Sequence, residues 1–164
     1  MVEHLDALSE RLGRRLLQQG LMLSTAESCT GGWLAKVITD VAGSSGWFDR
    51  GFVTYSNRSK REMLEVPAEV LEVHGAVSEE TARAMARGAL SHSRAQVAVA
   101  VSGIAGPGGG SDDKPVGTVC FAWALPGEVL ESRRLQLAGN REEVRHQAVR
   151  LALELLLEWL DSDG

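Results

Sequence analysis

Two nucleophile types stand side by side in the stretch STAESCTGGWLAKVITD, residues 24–40: Ser28 and Cys29. The segment reads as the end of a strand, a tight loop and the start of a helix. Backbone N–H groups at such a start lack intrahelical partners and carry partial positive charge. An alcohol placed there suits acyl transfer, because those amides can hold the oxyanion of a tetrahedral intermediate. Gly31 and Gly32 let a substrate approach the main chain. The same residues also read as a plain helix start, with Ser28 or Thr30 as the cap. For Cys29, thiolate chemistry would need a helix-lowered pKa. The cysteine-to-arginine spacing of phosphatase loops fails, because position 35 is Ala. A small buried side chain is the simpler reading of Cys29.

A serine nucleophile needs a base. His4, His74, His92 and His146 fall in predicted helices or at helix ends. None sits at the C-terminal end of a strand, where open α/β sheets place ligands. The run YSNRSK, residues 55–60, offers Tyr55 at a strand end and Lys60 in the first turns of the next helix. A lysine serves as a base when burial or another cation keeps it neutral; otherwise it is a solvated helix residue. Arg141 and Arg145 share a face at the start of the last helix. They can bind a phosphate there, or pair with Glu142 and Glu143 instead. The segment SGIAGPGGGSDDKPVGT, residues 102–118, lacks the Gly-Lys-Ser/Thr ending of a P-loop. No helix follows it promptly enough for a dinucleotide fingerprint. Asp112 and Asp113, without partners, are weak evidence for a metal. Ser102 and Gly103, at the end of the preceding strand, can line a pocket.

The elements that must position these residues follow from periodicity. Leu5, Leu8, Leu12 and Leu16 mark one helix face, and Gly20 sits where a C-terminal cap belongs. LMLSTAES and GFVTYS read as strands, residues 21–28 and 51–56. Trp33, Leu34, Val37 and Ile38 form the stripe of the helix between them. Helices are expected over residues 57–65, over 67–75 with Pro67 in the first turn, and from Ser78 onward. QVAVAVSGI and GTVCFAWAL are apolar on both faces, as in central strands covered on both sides. VLESRRLQL is more polar and belongs nearer an edge. The last helix runs from about Asn140 to Leu160. This pattern predicts one domain over residues 1–164, a three-layer α/β/α sandwich with a mixed, mostly parallel sheet of about five or six strands.

Composition narrows the class. The chain has 164 residues, 44% hydrophobic and 24% charged, with a net charge of −5. Such a balance argues against a non-specific grip on nucleic acid, though not against a local basic pocket for one anion. Two cysteines, Cys29 and Cys120, make neither a disulfide framework nor a zinc site. The opening MVEHLDALSERLGRR is charged from the start, unlike a signal peptide. No apolar run approaches the ~18 residues of a membrane span. The expectation is a cytoplasmic, soluble enzyme.

Taken together, TAESCTGGW, GSSGWFDRGFVTYSNRSK, HGAVSEET, SGIAGPGGGS, KPVGTV and GNREEVR closely resemble the CinA C-terminal-domain family. The resemblance runs from about residue 5 to 160. It implies a deamidase that converts nicotinamide mononucleotide to nicotinate mononucleotide and ammonia, with no cofactor and no metal. It also implies Ser28 as nucleophile and Lys60 and Tyr55 as its catalytic partners. Thr30, Gly31, Ser45, Ser102 and Gly103 then fall on substrate-binding positions. Arg141 and Arg145 match the Gly-x-Arg-x-x-Val-Arg block and become candidates for the 5′-phosphate. A homo-oligomer, dimer or higher, is expected from the family, with Trp33, Trp47, Trp123 and Trp159 available for core or interface. Many family members carry an additional N-terminal domain resembling molybdopterin-binding proteins. No such domain is expected here, nor any activity tied to it. The competing readings are a nucleotide-binding module of this fold without turnover, and an amidase on another phosphorylated amide.

Overall fold

A computed structural model describes residues 3–162. Its five strands are β1 (Leu23–Glu27), β2 (Phe48–Val53), β3 (Val97–Gly103), β4 (Thr118–Leu125) and β5 (Val129–Gln136). They form one sheet in the order β2-β1-β3-β4-β5. The pairs β2/β1 and β1/β3 are parallel, and the pairs β3/β4 and β4/β5 antiparallel. Only β4 therefore runs against the other strands, and the mixed sheet of the expected three-layer sandwich results. The polar β5 is an edge strand, as its composition foretold.

Alternation in the central strands sorts the helices to the two faces. Val97, Val99 and Val101 of β3, with Phe121 and Trp123 of β4, face a core built with α1 (Leu5–Gln19), α2 (Trp33–Thr39) and α6 (Arg141–Ser162). Trp47 and Trp123 are buried in it, whereas Trp33 and Trp159 are only partly covered. The other face is nearly all small: Ala26, Ala98, Ala100, Ala122 and Ala124 meet Ala82, Met85, Ala86 and Ala89 of α5 (Glu79–Ser91). Short side chains let α5 lie close to the sheet. On its outer side α5 meets the end of α3 (Asn57–Leu64). A Cβ added at Gly88 would lie 2.1 Å from the Leu64 carbonyl oxygen, so only glycine permits that approach. The short α4 (Ala68–His74) completes this layer. Packing of α3 on α5 carries Lys60 inward over the sheet.

Two differences from the sequence reading bear on the site. β2 begins at Phe48, not Gly51, and ends before Tyr55. Gly51 is tolerated in mid-strand because a Cβ there would meet Thr25 Oγ1 at 2.7 Å. Ser56, beyond the strand, caps α3 by accepting from the Ser59 amide. The second difference is the start of α2, at Trp33, with neither Ser28 nor Thr30 as its cap. A carboxylate takes that role, described below. Among the described residues no helix is long and apolar enough to cross a membrane.

Candidate active site

β1 and β3 are parallel neighbours whose chains diverge at their C-terminal ends. After β1 the chain turns to α2 on one face, while α5, which precedes β3, packs on the other. That arrangement opens a crevice at the strand ends, the usual ligand position in such sheets. A cavity of about 290 Å³ lies there, lined among others by Ser28, Cys29, Tyr55, Lys60, Ser102 and Arg141.

Ser28 is the first residue past β1, and its amide donates to Val101 O of β3 at 2.9 Å. This bond fixes the loop after β1 to the central strand. Lys60 enters from α3, with Nζ 2.9 Å from Ser28 Oγ and 3.0 Å from Thr54 O. Ser28 is 8% and Lys60 1% exposed. Burial pushes the Lys60 ammonium below its ordinary pKa, opposed by the nearby Cys29. A neutral amine in this position can donate one proton to Thr54 O and accept the Ser28 hydroxyl proton. The two sequence candidates for nucleophile and base are thus in hydrogen-bond contact.

Cys29 is 5% exposed, and burial pushes its thiol up to about 12. Near neutral pH it is a thiol packed in the core, not a thiolate nucleophile. The buried cysteine of the sequence reading is what the fold contains.

Glu27, the last residue of β1, is buried and turned toward α2. Its Oε1 accepts from Thr30 Oγ1 at 2.6 Å, from Gly32 N at 3.2 Å and from Leu34 N at 2.9 Å, and Oε2 accepts from Ala35 N at 3.0 Å. This carboxylate takes the amides of Gly32, Leu34 and Ala35, so those three are not available to an oxyanion. Glu27→Gln keeps one acceptor oxygen but sets an NH₂ group against Ala35 N–H. It should cost about 2–3 kcal/mol of stability, since hydrogen bonds to a buried charge are among the stronger ones. A lower urea midpoint with an unchanged denaturant slope is the expected readout.

The remaining candidates separate. Ser102 and Gly103 do line the cavity. Ser102 Oγ donates to Ala76 O at 2.8 Å, which ties β3 to the loop before α5. Gly103 is held to glycine by β4, because a Cβ would lie 2.8 Å from Val119 Cγ2. Thr30 is fully buried, its hydroxyl donates to Glu27, and it does not line the cavity. Gly31 also lies outside it, against the Arg145 guanidinium, in a left-handed turn with φ +59°. Ser45 lies apart from this cavity in the single chain. It lies in the short turn Ser44–Gly46 that feeds the N-terminal end of β2, whereas Ser28 follows the C-terminal end of the parallel β1. Within one chain the length of the sheet separates them. Tyr55 stands at the rim, 63% exposed, and its hydroxyl accepts from Arg141 Nη2 at 3.2 Å. It makes no hydrogen bond to Ser28 or Lys60 but lines the same cavity.

The two arginines also part company. Arg141 lines the cavity and donates to Gly106 O at 2.9 Å as well as to Tyr55. Arg145 is committed to the main chain of the loop after β1, with Nε donating to Cys29 O at 3.0 Å and Nη2 to Thr30 O at 3.2 Å. Its guanidinium lies over the Trp33 ring, 5.5 Å from the centroid. Neither pairs with Glu142 or Glu143. Sequence reasoning missed the contribution of Ala76, Val77 and Ile104–Gly106, which wall the cavity. Their signal was positional: each lies beside the C-terminal end of β3 or the loop that follows. None of the four histidines lines this cavity.

The fold and site define an α/β protein with a buried serine–lysine pair at the C-terminal edge of its sheet. Residues 5–160 match the model of the CinA C-terminal domain. The chain belongs to the CinA C-terminal domain family. It is 56% identical to the nicotinamide-nucleotide amidohydrolase PncC of Escherichia coli strain K12, over 91% of this chain and 90% of that one. It is 50% identical to the protein of the same name from Pseudomonas putida, over 96% and 98%. Among solved structures, the competence/damage inducible protein CihA from Agrobacterium tumefaciens superposes with a TM-score of 0.93 at 48% identity, covering 98% of each chain.

Proposed function

We propose that this chain hydrolyses the carboxamide of nicotinamide mononucleotide, giving nicotinate mononucleotide and ammonia, with Ser28 as nucleophile and Lys60 as base. The observation that carries the reading is the 2.9 Å contact between a buried lysine amine and a buried serine hydroxyl at the foot of an open cavity. The names of relatives at 50–56% identity over nearly the whole chain support the substrate.

Neutral Lys60 takes the Ser28 proton as Oγ attacks the carboxamide carbon. The protonated lysine then gives that proton to the amide nitrogen, which leaves as ammonia and not as an amide anion. A water attacks the resulting ester, passing its proton to Lys60. The acid departs, and the proton returns to Ser28. The pyridinium of the substrate is positive and adds to burial in keeping the amine neutral. Tyr55, at the rim, is placed to hold the substrate more than to relay protons. Arg141 faces the cavity and is the arginine we assign to the 5′-phosphate; Arg145, with its donors on the loop carbonyls, is not. A small-molecule nucleotide is the only partner this mechanism needs.

The test is ammonia release by the purified protein from nicotinamide mononucleotide with a chelator present; no release would overturn the reading in favour of a binding module. Arg141→Ala should raise KM for the nucleotide by on the order of 10–100-fold, as expected when a charge-assisted hydrogen bond common to ground and transition states is removed. It should change the rate on nicotinamide riboside, which lacks the phosphate, far less. Equal losses on both would remove the phosphate role.

A further inference from the structure

Arg145 has no acidic partner among the described residues, yet it is held firmly. Its two donors go to consecutive carbonyls, Cys29 O and Thr30 O, directly after the nucleophile. In a trans peptide the N–H points opposite to the C=O. The Thr30 carbonyl belongs to the peptide whose N–H is that of Gly31, and this N–H donates to Ser28 O at 3.1 Å. The side of the loop opposite Arg145 is therefore the Ser28 side. The preceding peptide, with its Cys29 carbonyl on the same guanidinium, points the Thr30 N–H the same way.

The donors of this loop can be accounted for one by one. The Ser28 amide is bonded to Val101 O, that of Gly31 to Ser28 O and that of Trp33 to Thr30 O. Gly32, Leu34 and Ala35 donate to Glu27. The amides of Cys29 and Thr30 have no main-chain or carboxylate acceptor among the described residues; Thr30 is fully buried, and the Cys29 amide meets only its own sulfur. Buried backbone N–H groups without a partner are rare. Cys29 lines the cavity beside Ser28, whereas Thr30 does not.

We propose that the Cys29 amide is an oxyanion donor, and that Arg145 is a positioning residue that holds its peptide in place through Thr30 O, whose own peptide N–H, that of Gly31, grips Ser28 O. This rests on the serine–lysine reading above. Gly31 and Gly32 both have positive φ, at +59° and +101°, so no Cβ stiffens the loop that the clamp holds. By drawing on the Thr30 carbonyl, the guanidinium also polarises the peptide whose N–H holds Ser28 O. Trp33 supports the clamp from beneath.

The experiment measures steady-state ammonia release by wild type, Arg145→Gln and Arg145→Lys, each on nicotinamide mononucleotide and on nicotinamide riboside. Loss of an oxyanion donor typically lowers kcat by about 10²–10³-fold. Arg145→Gln should lose roughly that factor in kcat on both substrates, with KM changed by less than about threefold, since only the transition state carries the oxyanion. Arg145→Lys should recover part of the loss, because an ammonium reaches one carbonyl but not both. Free guanidinium should partly restore the rate of Arg145→Ala without lowering KM. A loss expressed in KM and confined to the phosphorylated substrate would overturn the proposal and make Arg145 a phosphate ligand. An unchanged kcat would overturn it too, moving the oxyanion donors elsewhere, for example to the Gly103 amide. Should these variants fail to fold by circular dichroism, Trp33→Phe loosens the clamp more gently and should show the same kcat-only pattern at smaller size. Wild-type inactivity on both substrates is the separate result that would remove the amidase reading itself.

Discussion

Ser28→Ala should lower kcat for ammonia release by on the order of 10⁴–10⁶-fold, the range seen when a serine nucleophile is removed from an activated pair. Its neighbour should behave oppositely: Cys29→Ala should keep activity within a few-fold of wild type. The reason is chemical state as well as position. Ser28 Oγ shares a hydrogen bond with a lysine whose burial favours the neutral, proton-accepting form. Cys29 is pushed up to about 12 by its own burial and is a thiol at any pH where the enzyme would work. Removing its sulfur should cost stability, roughly 1–2 kcal/mol for a small core truncation, and little else. The two variants are compared by ammonia release and by thermal melting. If the cysteine variant alone lost turnover while melting as expected, the nucleophile would be the thiol. If Ser28→Ala kept turnover, neither the dyad nor the acyl-enzyme could stand.

The sheet and the helices around it were legible in the chain because they rest on local rules, whereas Ser28 and Lys60 were candidates among plainer readings until the family resemblance singled them out. Alternating Val and Ala in QVAVAVSGI gives a strand buried on both faces. Ser56 and Ser78 announce the helices that follow them, and both cap by side chain in the structure. The C-terminal ends of β1 and β3 are where a ligand belongs in such a sheet. What local rules could not give was the direction of side chains held by distant partners. Thr30 reads as a pocket residue until Glu27 turns its hydroxyl inward. Two arginines four apart look equivalent on a helix face. They diverge because Arg141 reaches Gly106 and Tyr55 across the cavity, while Arg145 reaches the loop of β1. Ser45 matches a motif in sequence but precedes β2, and parallel pairing sends it to the far end of the sheet from Ser28. Register and strand order decide that, and neither is written in a window of ten residues.

Lys60 should be as indispensable as Ser28, and its loss should leave a mark on stability that Ser28→Ala does not. Lys60→Arg should be nearly inactive, because a guanidinium does not give up its proton near neutral pH and has no room in a site 1% exposed. Lys60→Met, close in length and uncharged, should be equally inactive. In the wild type kcat/KM should rise with pH along an acid limb set by Lys60, at a pKa below the ordinary 10.5 because burial disfavours the ammonium. The same shift has a consequence for folding. Between the lowered folded pKa and the ordinary unfolded one, the unfolded chain holds a proton that the native chain has shed. Wild-type stability relative to Lys60→Met should therefore increase with pH through that window. Below it, with both states protonated, the difference should become independent of pH and favour Met, since burying an ammonium is unfavourable. Urea midpoints of the two proteins across a pH series measure this directly. A difference that stayed flat across the window would mean that Lys60 keeps its proton when folded. A lysine that keeps its proton cannot be the base, however short its contact with Ser28.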